Sequence, residues 1–229
     1  MARIAVIKFP GTNCDEDVAH AINTVTSLKA EVIWYKDFTL DPWDAIVIPG
    51  GFSYGDWLRA GAIAARTSVL ERIAEAVDRG IPVLGICNGF QILVEAGLLP
   101  GALTVNDIGR FVCKWVKLYV ERPRGPWLSL AEDGMELDMP IAHAEGRYIV
   151  DSETYNSILM KSPLIRYKDG WNSNGSLYNI AGVASEDGYV LGLMPHPERA
   201  SEEELTPPRF SPGGRVIFKS IEYSIKRGW

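Results

Sequence analysis

The sequence predicts an α/β domain: an open, mostly parallel sheet with helices on both faces and a cysteine nucleophile elbow at the carboxyl edge. Three observations predict it. Short apolar runs alternate with helical segments through the first half of the chain, the βαβα order of a parallel sheet. The apolar run Ile81-Pro82-Val83-Leu84 stops at Gly85-Ile86-Cys87-Asn88-Gly89, a G-x-C-x-G corner of the strand-to-helix kind. A second apolar strand, Val190–Met194, ends in Pro195-His196-Pro197-Glu198, which places an imidazole and a carboxylate at a strand end.

Taken in order, Arg3–Phe9 reads as the first strand and Asp15 to about Leu28 as a helix whose first turn carries Asp15, Glu16 and Asp17, charges favoured by the helix dipole. Ala30–Tyr35 and Ala45–Ile48 read as strands, the second ending in Pro49-Gly50-Gly51. The loop Phe52–Arg59 leads to a helix from about Ala62 to Arg79, then the strand Pro82–Ile86 and a helix from Asn88 to about Ala96. The second half is richer in strands, at Phe111–Glu121, Asn179–Ser185 and Val190–Met194. Arg122–Asp138 reads as a surface excursion and Lys168–Ser176 as a Gly- and Asn-rich loop. Gly214–Arg227 closes the chain as a helix. In such sheets ligands sit at the carboxyl ends of the strands, the edge that holds both the Gly50–Asp56 loop and Cys87.

With 229 residues, 47% of them hydrophobic, and seven Trp, the chain has material for a large core in one domain spanning residues 1–229. A net charge of −6 argues against nucleic acid or an anionic membrane as partner. No apolar run approaches the ~20 residues of a membrane span, and the opening Met1–Phe9 is too short and interrupted for a signal peptide. Three widely spaced cysteines do not make a disulfide framework, so the reading is a reducing, cytoplasmic setting. Neither C-x-x-C, H-E-x-x-H nor a phosphate-binding P-loop occurs, so no metal or cofactor is expected in this chain.

Cys87 is the candidate nucleophile. Glycines two positions either side permit a tight turn, and the helix start presents free N–H groups, among them that of Asn88, toward a developing oxyanion. A free thiol ionises near pH ~8.5, and a helix dipole contributes only about 0.3–1 kcal/mol, so an imidazolium must assist. Of the three histidines, His20 lies within the first helix and His143 sits in Ile141–Tyr148; His196 is best placed. Pro197 holds His196 extended, so Glu198 shares its face and can fix its tautomer. The glycine-rich turn Pro49–Asp56 offers a second oxyanion donor, and Gln91, one turn into the elbow helix, either contacts a substrate amino acid or caps and packs. Cys14 has acidic neighbours that disfavour a thiolate, and Cys113 reads as core.

Pro49-Gly50-Gly51, Gly85-x-Cys87-x-Gly89-x-Gln91 and His196-Pro197-Glu198 together resemble the class I, triad glutamine amidotransferases, of flavodoxin-like architecture. More narrowly, Gly50–Asp56, Gly85–Leu93 and Met194–Arg199 look like the glutaminase-subunit family of phosphoribosylformylglycinamidine synthases, with Ala144 standing where a glycine is expected. The resemblance implies that Cys87 attacks the glutamine amide, His196 shuttles the proton, Glu198 orients it, and the N–H groups of Asn88 and of Gly51 or Phe52 hold the oxyanion. Ammonia would pass to a large synthetase subunit, with a small accessory subunit, where ATP and Mg would be bound; the product belongs to purine biosynthesis. Two rivals are a free-standing cysteine hydrolase of the same fold, of γ-glutamyl hydrolase or peptidase type, and a non-catalytic regulatory module. Asn88 after the nucleophile and the complete Cys-His-Glu set argue against each in turn.

Overall fold

The computed structural model describes residues 2–228. Its elements are β1 (Arg3–Lys8), α1 (Asp15–Val25), β2 (Lys29–Trp34), β3 (Ala45–Ile48), α2 (Ser68–Asp78), β4 (Val83–Ile86), α3 (Asn88–Glu95), β5 (Ala102–Thr104), β6 (Val112–Glu121), β7 (Glu136–His143), β8 (Arg147–Ile149), α4 (Ser152–Thr154), β9 (Leu164–Tyr167), β10 (Ile180–Ala184), β11 (Val190–Leu193) and α5 (Arg215–Arg227). Nine strands form one sheet in the order β2-β1-β3-β4-β11-β10-β9-β6-β7, and β5 pairs with β8 in a separate ribbon. The five strands from β2 to β11 are parallel; the other four join by antiparallel pairing.

Strands β3 and β4 are buried at every position, which is why they read as unbroken apolar runs. From β1 the chain steps one way to β2 and from β3 the other way to β4. Right-handed crossovers in opposite directions place α1 and α2 on opposite faces. The reversal at β1 opens a crevice at the carboxyl edge, bracketed by the turns after β1 and β3, where Thr12 and Gly51 bridge.

Three elements depart from the sequence reading. Helix α1 stops at Val25, because Thr26 turns extended (φ −128°, ψ 173°) and its hydroxyl bonds back to the Ile22 carbonyl at 2.6 Å. The helix read from Ala62 to Arg79 is two pieces: Thr67 is extended (φ −81°, ψ 149°), its hydroxyl donating to Ala64 O at 2.6 Å, and α2 restarts at Ser68. The excursion read as Arg122–Asp138 ends sooner, since β7 begins at Glu136. Strand β7 is last in the sheet order, yet its Pro140 carbonyl accepts from His196 N–H at 2.9 Å. The antiparallel wing therefore curls back over the carboxyl edge of the parallel half. Pro140 lies on an edge strand, where its missing donor is tolerated.

Candidate active site

Cys87 sits between β4 and α3 with φ 50° and ψ −104°, outside the regions a side chain adopts without strain. Neighbours over-determine it: its N–H donates to Leu193 O at 2.8 Å and its carbonyl accepts from Gln91 N–H at 3.1 Å. The flanking glycines are required by packing. A Cβ on Gly85 would lie 2.7 Å from the Gly89 carbonyl oxygen, and one on Gly89 would lie 2.7 Å from the Ile48 carbonyl carbon. The helix thus starts against β3, closer than any side chain permits. Asn88 is the first residue of α3, so its N–H has no partner within the helix.

His196 and Glu198 are both 2% exposed, and His196 Nδ1 lies 2.6 Å from Glu198 Oε1. His196 Nε2 is buried without a conventional hydrogen-bond partner among the described residues. Burial alone would lower the His196 pKa; the charge of Glu198, then that of Cys87, overcomes it and holds the imidazole well above its usual value. The ring lies over Gly50, where a methyl group would come within 2.8 Å of Cε1, 3.2 Å of Cys14 Sγ and 3.5 Å of Cys87 Cβ.

His143 gives the contrast. It is as buried as His196 but meets an amide rather than a carboxylate, its Nδ1 lying 3.1 Å from Asn106 Oδ1. Burial, with the charge of His196, pushes it down to about 4, so it is neutral. His20 is on the surface, 3.0 Å from Glu202.

A cleft of about 40 Å³ opens beside Cys87, lined by Gly51, Phe52, Asp56, Gln91, His143 and Glu145 among others. Three amide contacts tie its walls together: Ser53 N–H donates to Asn88 Oδ1 (3.1 Å), Asn88 Nδ2 to Gln91 Oε1 (3.0 Å) and Gln91 Nε2 to Glu145 O (2.6 Å). Gln91 therefore lines the cleft and also latches the β7–β8 turn to α3. Phe52 N–H donates to Gly11 O at 2.9 Å. Asp56 is pushed up to about 6 by burial and by the charge of Glu145.

Sequence reasoning missed Ala142, Ala144 and Glu145, which line the cleft, because they lie at the end of, or just after, a strand that carries no clean alternation. It also missed the surroundings of Cys14: Asp15 turns away to Lys8 at 2.6 Å, and Arg199 Nη2 donates to Cys14 Sγ at 3.1 Å. Cys113, read as core, is exposed on β6.

The family of CobB/CobQ-like glutamine amidotransferase domains matches residues 1–212. The chain is 51% identical over 228 residues to phosphoribosylformylglycinamidine synthase subunit PurQ of Pyrococcus furiosus, covering 96% of this chain and 97% of that one. It is 48% identical over 227 residues to the Methanosarcina mazei subunit of the same description, with 96% of each covered. In the solved structure of PurLQS from Thermotoga maritima, one chain matches with a TM-score of 0.85 at 44% identity, over 98% of this chain and 99% of that one. A glutamine amidotransferase of Thermotoga maritima, at 16% identity and a TM-score of 0.54 over 99% of this chain and 92% of that one, shares the fold.

Proposed function

Because this chain belongs to the CobB/CobQ-like glutamine amidotransferase family, we propose that Cys87, His196 and Glu198 are its catalytic triad, in one domain spanning residues 1–229. The protein is a glutaminase subunit of phosphoribosylformylglycinamidine synthase, an enzyme using glutamine as amide donor, and it works with the synthetase subunit PurL and with PurS. The observation that carries the triad is the strained Cys87 corner facing a buried imidazole whose far nitrogen is 2.6 Å from a carboxylate.

In this reading the Cys87 sulfur attacks the side-chain carbonyl of glutamine. The oxyanion forms against the N–H groups of Asn88 and Gly51; the Phe52 N–H is already engaged with Gly11, which favours Gly51 of the two. His196 Nε2 gives its proton to the departing nitrogen, and ammonia leaves. His196 then takes a proton from water, which attacks the thioester; glutamate departs and the thiol is restored. Glu198 holds the ring and stabilises its cation throughout. Asn88 and Gln91 line and brace the cleft that receives the glutamine. Ammonia passes to the synthetase, where ATP and Mg²⁺ are bound and formylglycinamide ribonucleotide becomes its amidine, in the cytoplasm. Among the described residues no helix is long and apolar enough to cross a membrane.

The test is covalent labelling by a glutamine-like electrophile together with steady-state glutamate release. Wild type is labelled at Cys87; Cys87→Ala takes no label and releases no glutamate, while Cys113→Ala does both normally. Turnover by folded Cys87→Ala near the wild-type rate refutes the assignment.

A further inference from the structure

Beside the proposed triad, and including two of its members, three buried side chains meet. Cys14, His196 and Glu198 each offer one ligand atom, and these atoms lie within 4.8 Å of one another. Each residue is 2% exposed. Glu198 Oε2 is buried without a hydrogen-bond partner among the described residues. One thiol, one imidazole and one carboxylate make a donor set suited to Zn²⁺ and poorly suited to Mg²⁺ or Ca²⁺. The usual spacing signatures are absent because the ligands come from the turn after β1 and the turn after β11, distant in sequence.

The cluster already holds a cation. Arg199 donates to Cys14 Sγ at 3.1 Å, and its Nε lies 3.8 Å from Glu198 Oε1. Arg199 also borders an open groove of about 460 Å³, lined by Asp17, His20, Trp115 and Leu205, that reaches Glu198. The guanidinium thus stands between the cluster and solvent, with the Asp17 carboxylate in the same groove to receive it.

We propose that Cys14, His196 and Glu198 form an inhibitory Zn²⁺ site, entered through this groove when Arg199 swings out. Tetrahedral zinc sets its ligands ~3.5 Å apart, so the widest separation must close, and the 2.6 Å contact of His196 with Glu198 must open, each by about 1 Å. The metal takes the place of the hydrogen between His196 and Glu198, and the Cys14 thiol and that imidazole N–H release their protons to solvent. The ring can then no longer cycle its charge, and catalysis stops without any metal contact to Cys87. Binding does not depend on the glutaminase reading; only the inhibition does.

The experiment titrates the full chain, carrying Cys113→Ala to remove the exposed thiol, with Co²⁺ and Zn²⁺. One Co²⁺ per chain should bind with a thiolate-to-cobalt absorption band that survives Cys87→Ala and disappears in Cys14→Ala. Zn²⁺ affinity should fall by more than the ~100-fold that loss of an outer-shell partner costs in Cys14→Ala, which removes a direct ligand, and rise about tenfold in Arg199→Ala, where the competing cation is gone. In the complex with synthetase, the Zn²⁺ concentration that halves glutaminase activity should shift by the same factors. A band that survives Cys14→Ala, or one lost in Cys87→Ala, overturns the ligand set. Unchanged or weaker binding in Arg199→Ala overturns the displacement. Binding that follows the predicted pattern without inhibition of the complex overturns the inhibitory role.

Discussion

Replacing Glu198 by Gln keeps the shape of the triad and removes the charge that sustains His196 as a cation. His143 supplies the magnitude. It is buried to the same degree, has an amide in place of the carboxylate, and is pushed down from 6.5 to about 4. That fall of about 2.5 pH units is worth about 3.4 kcal/mol, or roughly 300-fold in a rate that depends on the imidazolium. Part of that fall comes from the charge of His196 itself, whereas His196 starts from above 6.5, so roughly 300-fold is the order of magnitude expected for Glu198→Gln. His196→Ala, which removes the proton carrier, should cost more, toward the ~10⁴-fold end of general acid–base effects. The sign of the pH effect is also determined. Glu198 raises the His196 pKa, so its loss must move the alkaline limb of kcat/KM to lower pH. The assay is glutamate release by the complex from pH 5.5 to 9.5 for wild type, Glu198→Gln and His196→Ala. A larger loss in Glu198→Gln than in His196→Ala, or an alkaline limb that stays put, refutes the division of roles.

Three further outcomes follow from the geometry. Gly89→Ala forces a methyl group into the Ile48 carbonyl, so it should destabilise the fold by about 1–3 kcal/mol, read as a lower urea midpoint, and cut activity by displacing the elbow. Stability between pH 7 and 4 should reflect two opposed groups. The folded state refuses a proton at His143 until about 4, so stability is lost as pH falls below 6.5, whereas Asp56 takes its proton at about 6 rather than 3.8 and offsets part of that loss. Asp56→Asn should therefore steepen the fall in urea midpoint from pH 7 to 4.5, and a shallower fall contradicts the assignment. Finally, the loop that borders the cleft continues into Trp57 and Leu58, 75% and 88% exposed. Glutamate release should rise strongly when synthetase, ATP and acceptor nucleotide are added, and Trp57→Ser with Leu58→Ser should blunt that rise while leaving the slow rate of the isolated chain unchanged; equal rates with and without partner would exclude gating.

The parallel half of the fold was legible because its central strands are buried on both faces, and such strands announce themselves as unbroken apolar runs. The elbow was legible for a related reason: only glycine fits at Gly85 and Gly89, so a steric demand of the packed helix is written directly as residue type. The exposed side chains of the glycine-rich loop were less so. Tyr54 is half-buried edge-on to Tyr35, while Phe52, Trp57 and Leu58 carry the exposed apolar surface. Nothing local distinguishes these four side chains; which of them turn inward depends on the left-handed backbone at Tyr54, Gly55, Asp56 and Leu58.

Strand β7 shows where local reading stops and why the site needs what it could not supply. Its polar Asp138 is nearly buried because the Ser211 N–H and hydroxyl reach it across the fold, and its Pro140 looks like a breaker. Either feature alone argues against a strand. Both are satisfied only after the antiparallel wing has curled back, when Pro140 O meets His196 N–H and Ala142 O comes within 3.8 Å of Cys87 Sγ. The parallel half supplies the proposed nucleophile and base from the ends of neighbouring strands, β4 and β11, but leaves the far side of both open. It is β7 and the turn after it, through His143 and Glu145, that form the far wall of the cleft. Chemistry encoded in short motifs therefore depends on a wall encoded only in long-range contacts, and substitutions along β7 should disturb catalysis without touching any residue of the triad.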